Sequence, residues 1–375
     1  MSVPGLFADR RVALIHYWLV GMRGGEKVLE ALCRMFPQAD IFTHVVDPKR
    51  LSETLLAHDI RTTRVGRMPF ARRLYQNYLP MMPRALEELD LTGYDLVISS
   101  EAGPAKGIIP PPGVPHLCYC HSPMRYIWDH YARYKSAAGP AKRAVMGPVF
   151  HRLRQWDATS AARVDQIVAN SSHVAARIKS YWRRDAGVVP PPVAVDRFAP
   201  VPKSDVGDYY LWAGEMVPYK RPDIAIDAFR LLDKPLLVIG GPDRVPSELA
   251  RRAGPKTRFL GRVSDADLKH HLARCRALIF PGEEDFGIVP VEAMASGRPV
   301  IAFGKGGVRD SVVPGKTGFF FQDQSASALV EAVREFEESG LEARCGDACV
   351  QQAAQFSERA FQEGILRNLS QIGVC

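Results

Sequence analysis

The chain has 375 residues, 46% of them apolar, with 49 Lys+Arg against 41 Asp+Glu and a formal net charge of +8. That apolar share excludes a disordered chain, and seven cysteines spread over this length exclude a disulfide-built scaffold. At about 150 residues per domain, the length predicts two or three domains, each able to bury a core of its own.

In chain order, RVALIHY (11–17), ADIFTHV (39–45), YDLVISS (94–100), HLCYCH (116–121) and QIVANS (166–171) predict strands. A second series follows: DYYLWAGE (208–215), PLLVIGG (235–241), TRFLGRV (257–263), ALIFPG (277–282) and PVIAFGKGG (299–307). Between the later runs, RPDIAIDAFRLL and DADLKHHLARC place apolar residues at the i, i+3, i+4, i+7 spacing of a helix lying on a sheet. Alternating strands and helices with continuously apolar strands imply parallel sheets covered on both faces. The proline-rich VVPPPVAVDRFAPVPK (188–203) predicts an extended connector. The expected layout is an α/β chain of two doubly wound domains: 1–190, a linker over 191–203, 204–355, and a final helix over 356–375 that can return to the first domain.

Cys118 and Cys120 alternate within an apolar run as buried strand thiols do, which predicts a reducing compartment, and no CxxC pair suggests a metal site. No run approaches the roughly 18 apolar residues of a spanning helix, and MSVPGLFADRR has no apolar stretch before a cleavage site. Neither export nor insertion is expected.

Ligands of open α/β sheets bind beyond the carboxyl ends of strands, so the residues after each apolar run are the candidate site. PGEEDFGIVPVEAMASGRPVIAF follows the strand ALIF and holds Glu284 and Glu292 with seven residues between them. Paired carboxylates accept from sugar hydroxyls and can fix a diol. The bare spacing fits two solvated surface glutamates as well; the preceding strand, Gly287, Pro290 and the helix exit favour a site. Lys220 and Arg221, in AGEMVPYKRPD after the strand YYLW, put cations at a helix start, suited to a leaving diphosphate. A solvated lysine is the plainer reading of Lys220 alone.

His121 ends the strand HLCYCH and precedes Ser122-Pro123, a turn that presents its imidazole; a core histidine bonded to a carbonyl is the alternative. His16, His44, His116 and His173 have no comparable claim. Gly24 and Gly25 at the first strand-to-helix turn let backbone N–H groups approach a ligand, and the Gly304-Lys305-Gly306-Gly307 loop offers further amides, unless either is a plain tight turn.

The run E-D-F-G-I-V-P-V-E-A-M-A-S-G-R-P-V resembles the donor-site signature of glycosyltransferase family 4, retaining nucleotide-sugar transferases of the GT-B fold, in which two Rossmann-like domains face each other across a cleft. PPVAVDRFAP resembles that family's interdomain linker. ARRLYQNYLP, ISSEAGPAKG, CYCHSPMRYIWD and WDATSAARVD are similar to a branch with mannosyltransferases of bacterial O-antigen and exopolysaccharide. The resemblance implies that Glu284 binds the transferred sugar, Glu292 the ribose and Lys220 the diphosphate. It sets Phe286, Gly287 and Ile288 in the donor loop, Arg262 and Val263 beside the base, His121 near the reactive carbon, and Gly24 and Gly25 between phosphate and acceptor. Asp243-Arg244 either reaches the site or caps a turn. Where the family has an arginine five positions before the lysine, this chain has Glu215: either Arg221 replaces the missing charge or Glu215 faces elsewhere.

Residues 1–190 hold 26 Lys+Arg and 16 Asp+Glu, the remainder 23 and 25, so the basic excess lies wholly in the first half. Residues 61–84 carry six arginines and no acid among Phe70, Leu74, Tyr75, Tyr78, Leu79, Met81 and Met82. The run 131–156 adds Arg133, Lys135, Lys142, Arg143, Arg152 and Arg154, again without an acid. Such mixtures suit an anionic membrane surface, a solvated face being the alternative. No nucleic-acid-binding motif accompanies the charge, so nucleic acid is not an expected partner.

The resulting expectation is a cytoplasmic enzyme, held peripherally at the inner face of the membrane. It moves a hexosyl group, mannose from GDP-mannose by the branch resemblance, to a lipid-linked saccharide acceptor with retention. The nucleotide-sugar is a co-substrate, and no cofactor or metal is needed because fixed cations can neutralise the phosphate. Domain closure about the connector would exclude water. A nucleotide-sugar epimerase of the same architecture, or a silent glycan-assembly partner favoured by Glu215, remain alternatives.

Overall fold

The computed structural model describes residues 3–242 and 245–374. The chain forms two compact units: residues 1–192 together with 361–375, and residues 193–360.

The first unit is a seven-stranded parallel sheet. Its strands are β1 (Val12–His16), β2 (Asp40–Thr43), β3 (Ile60–Thr62), β4 (Leu96–Glu101), β5 (His116–Cys120), β6 (Gln166–Ala169) and β7 (Gly187–Val188), ordered 3-2-1-4-5-6-7. β1, β4 and β5 are buried along their whole length, which is why they read as unbroken apolar runs. Helix α1 (Gly24–Met35) buries Val28, Leu29, Ala31, Leu32 and Met35 on the sheet, and Glu26 Oε2 accepts from the Arg23 N–H at 3.0 Å to cap its start. Helices α2 (Pro140–Ser160) and α3 (Ser172–Trp182) follow, the latter capped by the Ser171 hydroxyl accepting from Val174 N–H.

The second unit is a six-stranded parallel sheet of β8 (Tyr210–Ala213), β9 (Leu236–Ile239), β10 (Thr257–Gly261), β11 (Leu278–Phe280), β12 (Val300–Phe303) and β13 (Gly318–Phe321), in the order 10-9-8-11-12-13. Its helices include α4 (Pro222–Leu232), α5 (Asp265–Arg274), α6 (Ile288–Ala295), α7 (Ala326–Ser339) and α8 (Gly346–Ala354). The predicted stripe of α4 is the face that buries Ile224, Ala225, Ala228 and Phe229. Both sheets are doubly wound, and strand order reverses between β1 and β4 in one and between β8 and β11 in the other. These reversals are where α/β sheets open a crevice for a ligand.

The chain passes between the units after residue 192 and after residue 360. Val193 N–H bonds Phe356 O at 2.9 Å inside the second unit, so most of the expected 191–203 connector is built into that unit. Two short 3-10 turns, Val195–Arg197 and Lys203–Asp205, take up the rest of the stretch that prolines kept from helix or strand. The last helix, α9 (Glu358–Ser370), buries Phe361, Ile365 and Leu369 in the first unit's core, with the Phe361 ring 5.5 Å from that of Tyr119. Burying three such side chains contributes about 2 kcal/mol each.

Candidate active site

At the β8/β11 reversal the two loops predicted to carry chemistry meet. After β8 the chain runs into a 3-10 turn, Pro218–Lys220; after β11 it runs through Pro281-Gly282 to Glu284. Lys220 Nζ donates to Glu284 Oε1 at 2.8 Å, and the two side chains are only 16% and 17% exposed. Gly282 makes the approach possible: a Cβ there would stand 2.8 Å from Lys220 Cα and 2.9 Å from the Tyr219 carbonyl oxygen. A second strut is Gln324, whose Nε2 donates to Pro281 O at 2.9 Å while its Oε1 accepts from Arg221 at 3.1 Å.

Arg221 takes a left-handed backbone (φ 51) just before Pro222 opens α4. Its guanidinium forks onto Asp223, Nε to Oδ1 at 3.0 Å and Nη2 to Oδ2 at 2.9 Å. The pairing holds the Asp223 carboxyl below the usual carboxylate range against the opposing effect of burial. The Arg221 charge is thus shared with Asp223 within the turn, as that of Lys220 is with Glu284. Glu215 is exposed, so it does not occupy the pair's surroundings as a buried charge.

Helix α6 starts at Ile288, because Gly287 (φ 89) supplies its N-cap, and Pro290 is tolerated in its first turn. Glu292, half-buried, follows one turn later. Phe286 is 4% exposed and packs on Phe356 at 5.6 Å, so its ring supports the loop from the core. The Gly307 N–H, expected to be available to phosphate, donates to the Glu284 carbonyl at 2.9 Å, tying the glycine loop after β12 to the carboxylate's own backbone. Arg262 is exposed, with Nε 3.3 Å from Gly241 O, and Val263 packs half-buried against the core. Asp243 and Arg244 lie outside the described residues.

In the first unit, His121 follows β5 and its N–H donates to Glu101 O at 2.8 Å. Its Nε2 shares a 2.8 Å hydrogen bond with Ser100 Oγ, whose oxygen lies 3.0 Å from His16 Nδ1. Removal from water lowers the His121 pKa to about 4 and puts that of His16 well below its usual value. His16 therefore belongs to the same group as His121, which the sequence reading did not see. Gly24 and Gly25 form the first two positions of α1, and a Cβ on Gly25 would collide with the Tyr17 hydroxyl. The first unit also holds a fully buried ionic group: Lys106 Nζ is 2.5 Å from Asp157 Oδ1 and 3.3 Å from Glu101 Oε1. Trp128 and Trp182 each donate Nε1–H to Asp157 Oδ2 at 2.7 Å, and Glu101 Oε2 accepts from the Ala105 and Lys106 N–H groups. In the sequence its members lie in ISSEAGPAKG (Glu101, Lys106), CYCHSPMRYIWD (Trp128) and WDATSAARVD (Asp157), runs read as a family likeness and not as chemistry.

The basic run 61–84 is partly compensated by acids outside it. Arg61 pairs with Asp59 and Asp40, and Arg64 and Arg84 both pair with Glu88. Among the described residues, Arg67, Arg72 and Arg73 are exposed without an ion pair, beside Phe70, which is 77% exposed on a left-handed backbone (φ 52). In the second run, Arg143 donates to Ser136 O and Ala138 O, and Arg154 to Ile127 O; the side chains of Arg133 and Lys142 lie outside the described residues. No described helix is long and apolar enough to cross a membrane, and no described group of acidic, histidine or cysteine side chains could hold a metal ion.

Two doubly wound parallel sheets, each with its own strand-order reversal, are the domains of a GT-B protein, and solved structures bear this out. Anabaena HepE, determined in complex with UDP, superposes with a TM-score of 0.68 at 17% identity, over 96% of this chain and all of that one. Sucrose-phosphate synthase from Thermosynechococcus elongatus gives 0.69 at 19% identity, over 97% of this chain and 99% of its own. The lipopolysaccharide outer core galactosyltransferase WaaB gives 0.66 at 17% identity, over 96% and 99%.

Residues 22–197 match the family model "Glycosyltransferase Family 4" and residues 197–360 match "Glycosyl transferases group 1". The chain is thus a GT-B protein of the glycosyltransferase family 4 type. D-inositol 3-phosphate glycosyltransferase of Streptomyces avermitilis is 30% identical over 270 residues, 63% of this chain and 57% of that protein. Against the corresponding Streptomyces scabiei enzyme the match spans 51% of this chain and 50% of its relative. The chain therefore spans about half the length of the curated relatives it matches.

Proposed function

We propose that the protein is a retaining glycosyltransferase that moves a hexosyl group, mannose from GDP-mannose, from a nucleoside-diphosphate sugar to a hydroxyl of a lipid-linked saccharide in bacterial surface polysaccharide synthesis. The observation that carries the reading is the Lys220–Glu284 pair at the β8/β11 reversal, a cation and an acceptor side by side where a sheet of this kind takes its ligand. On this reading Glu284 accepts from hydroxyls of the transferred sugar, Glu292 from the ribose, and Lys220 neutralises the diphosphate. Arg221, paired to Asp223, sets the shape of the turn. Arg262 and Val263 lie after β10, where the base would stack.

The step is a front-face displacement: the bond from the anomeric carbon to the diphosphate oxygen breaks, the bond to the acceptor oxygen forms on the same face, and the acceptor's proton passes to the departing diphosphate. Charge on that diphosphate grows in the transition state, so Lys220 stabilises the transition state more than the bound donor. Within the first unit, His121 and the Gly24-Gly25 turn, which follow β5 and β1, are the candidate acceptor-side residues. Exposed Arg67, Arg72, Arg73 and Phe70 suit an anionic lipid surface, where each cation contributes roughly 1 kcal/mol.

HepE's structures include one with UDP-glucose, which favours a nucleotide-sugar donor of this general kind. The relatives named for D-inositol 3-phosphate favour a second reading, a small phosphorylated acceptor. Incubation with GDP-mannose or UDP-glucose, plus either a membrane extract or D-inositol 3-phosphate, separates the cases. Transfer into the lipid fraction supports the first reading, transfer to the inositol phosphate the second, an isomerised donor an epimerase, and no turnover a silent partner.

A further inference from the structure

We propose that His16, acting through Ser100, fixes the tautomer of His121 so that His121 presents Nδ1–H as a hydrogen-bond donor and not as a base. The inference deepens the transferase reading and rests on it for its kinetic consequence, since there His121 stands near the reacting sugar.

The three residues come together because β1, β4 and β5 are adjacent in the sheet. His16 and Ser100 are partners in the β1/β4 register, and His121 follows the last residue of β5. Ser100 Oγ lies 3.0 Å from His16 Nδ1 and 2.8 Å from His121 Nε2, so one hydroxyl proton is shared between two imidazoles. Burial keeps both rings neutral, and a neutral ring carries one N–H. Both rings donating to the two lone pairs of Ser100 would orphan its O–H, which is buried and has no third partner among the described residues, so two arrangements remain. In one, His121 Nε2–H donates to Ser100, Ser100 O–H donates to His16 Nδ1, and His16 is left with an N–H on Nε2. In the other, His16 Nδ1–H donates to Ser100, Ser100 O–H donates to His121 Nε2, and His121 carries its proton on Nδ1.

His16 Nε2 decides between them. His16 is fully buried and this nitrogen has no hydrogen-bond partner. A buried N–H without an acceptor is the rarer and costlier orphan, whereas a bare lone pair is tolerated more readily. The second arrangement is therefore favoured, against the usual preference of a free imidazole. No described residue bonds His121 Nδ1, so the donor it carries is left for a ligand oxygen. His16 and Ser100 are positioning residues; His121 is the group that touches substrate. The arrangement agrees with a reaction in which the departing phosphate, and not an imidazole, takes the acceptor's proton.

Imidazole 15N–1H correlation spectra of the free wild-type protein, labelled at histidine, read the tautomer without any substrate. The expected result is His121 protonated on Nδ1, with Ser100→Ala releasing it to a mixture or to the Nε2–H form. Finding His121 as Nε2–H in the wild type overturns the proposal. Kinetically, with GDP-mannose or UDP-glucose as donor, His16→Phe should lower kcat about tenfold with the donor KM unchanged, a loss of one hydrogen bond's worth of alignment. His16→Asn, whose amide can reach the position of Nδ1, should recover most of it. Equal kcat for the two variants contradicts the proposal. In a His121→Ala background His16→Phe should change nothing further. Wild-type turnover of His121→Ala itself would remove the assigned role of His121 while the spectra still decide the tautomer.

Discussion

Replacing Lys220 with methionine removes the cation from a pair whose side chains are about five-sixths withdrawn from solvent and 2.8 Å apart. Exposed pairs couple by about 0–1 kcal/mol, whereas breaking a fully buried one costs about 3–5 kcal/mol, so this intermediate case should lose about 1–3 kcal/mol of stability. Part of that loss is the uncompensated Glu284 carboxylate. Adding Glu284→Gln should give part of it back, and urea unfolding of the two single variants, the double variant and the wild type should yield a coupling of about 1 kcal/mol. Catalysis should respond differently. Losing a fixed charge opposite a growing phosphate charge costs about 100- to 1000-fold in kcat, and the double variant should be no better than the worse single one. Additive stabilities would refute the pair as a direct contact. Turnover of Lys220→Met within a few-fold of wild type would refute its place at the diphosphate.

Lys106→Met should cost about 3–5 kcal/mol in urea unfolding, because it leaves Glu101 and Asp157 buried without their cation; a loss below about 1 kcal/mol contradicts the ionic group's role. His44 and His116 are buried and neutral, with pKa values lowered from 6.5 to about 4 and about 3 by removal from water. The unfolded chain therefore takes up their protons first as pH falls, so their stability contribution is complete above about pH 6.5. It is lost toward the folded values at about 1.4 kcal/mol per pH unit for each ring. His44→Gln should flatten that slope in unfolding curves between pH 6.5 and 4, and an unchanged slope counts against it. Binding to anionic vesicles should weaken with salt and with Arg72→Glu and Arg73→Glu, and should fall further with Phe70→Ser; sedimentation that ignores all of these removes the membrane surface from the proposal.

The second unit's site was largely legible because its residues come in two uninterrupted runs, each directly after an apolar strand. Lys220 and Glu284 were singled out from separate runs, and the structure pairs their side chains because β8 and β11 lie side by side. The surroundings of Arg221 were not legible: the sequence shows a cation but not that Asp223, two residues on, takes the Nε–Nη2 edge of its guanidinium. Phe286 was read by its place in the motif, and only packing reveals that its ring turns to the core. The His16–Ser100–His121 group was illegible for another reason: it depends on the order 1-4-5, which brings together residues 84 and 21 positions apart, and strand order is not written in local sequence.

Strands β3, β7 and β13 were missed as well. Each is an edge strand of two to four residues, not buried along its whole length, so none produces the continuous apolar run that marked the central strands. The connector was overextended because prolines report where helix and strand stop. They do not report which unit the chain then packs on, and Val193 bonds into the second.

A crystal structure of the protein with GDP-mannose or UDP-glucose tests the donor assignment most directly. The sugar hydroxyls should lie within hydrogen-bonding distance of Glu284, with the diphosphate against Lys220 at the carboxyl ends of β8 and β11. Donor density at any other place on the molecule, with the Lys220–Glu284 pair undisturbed, would contradict it.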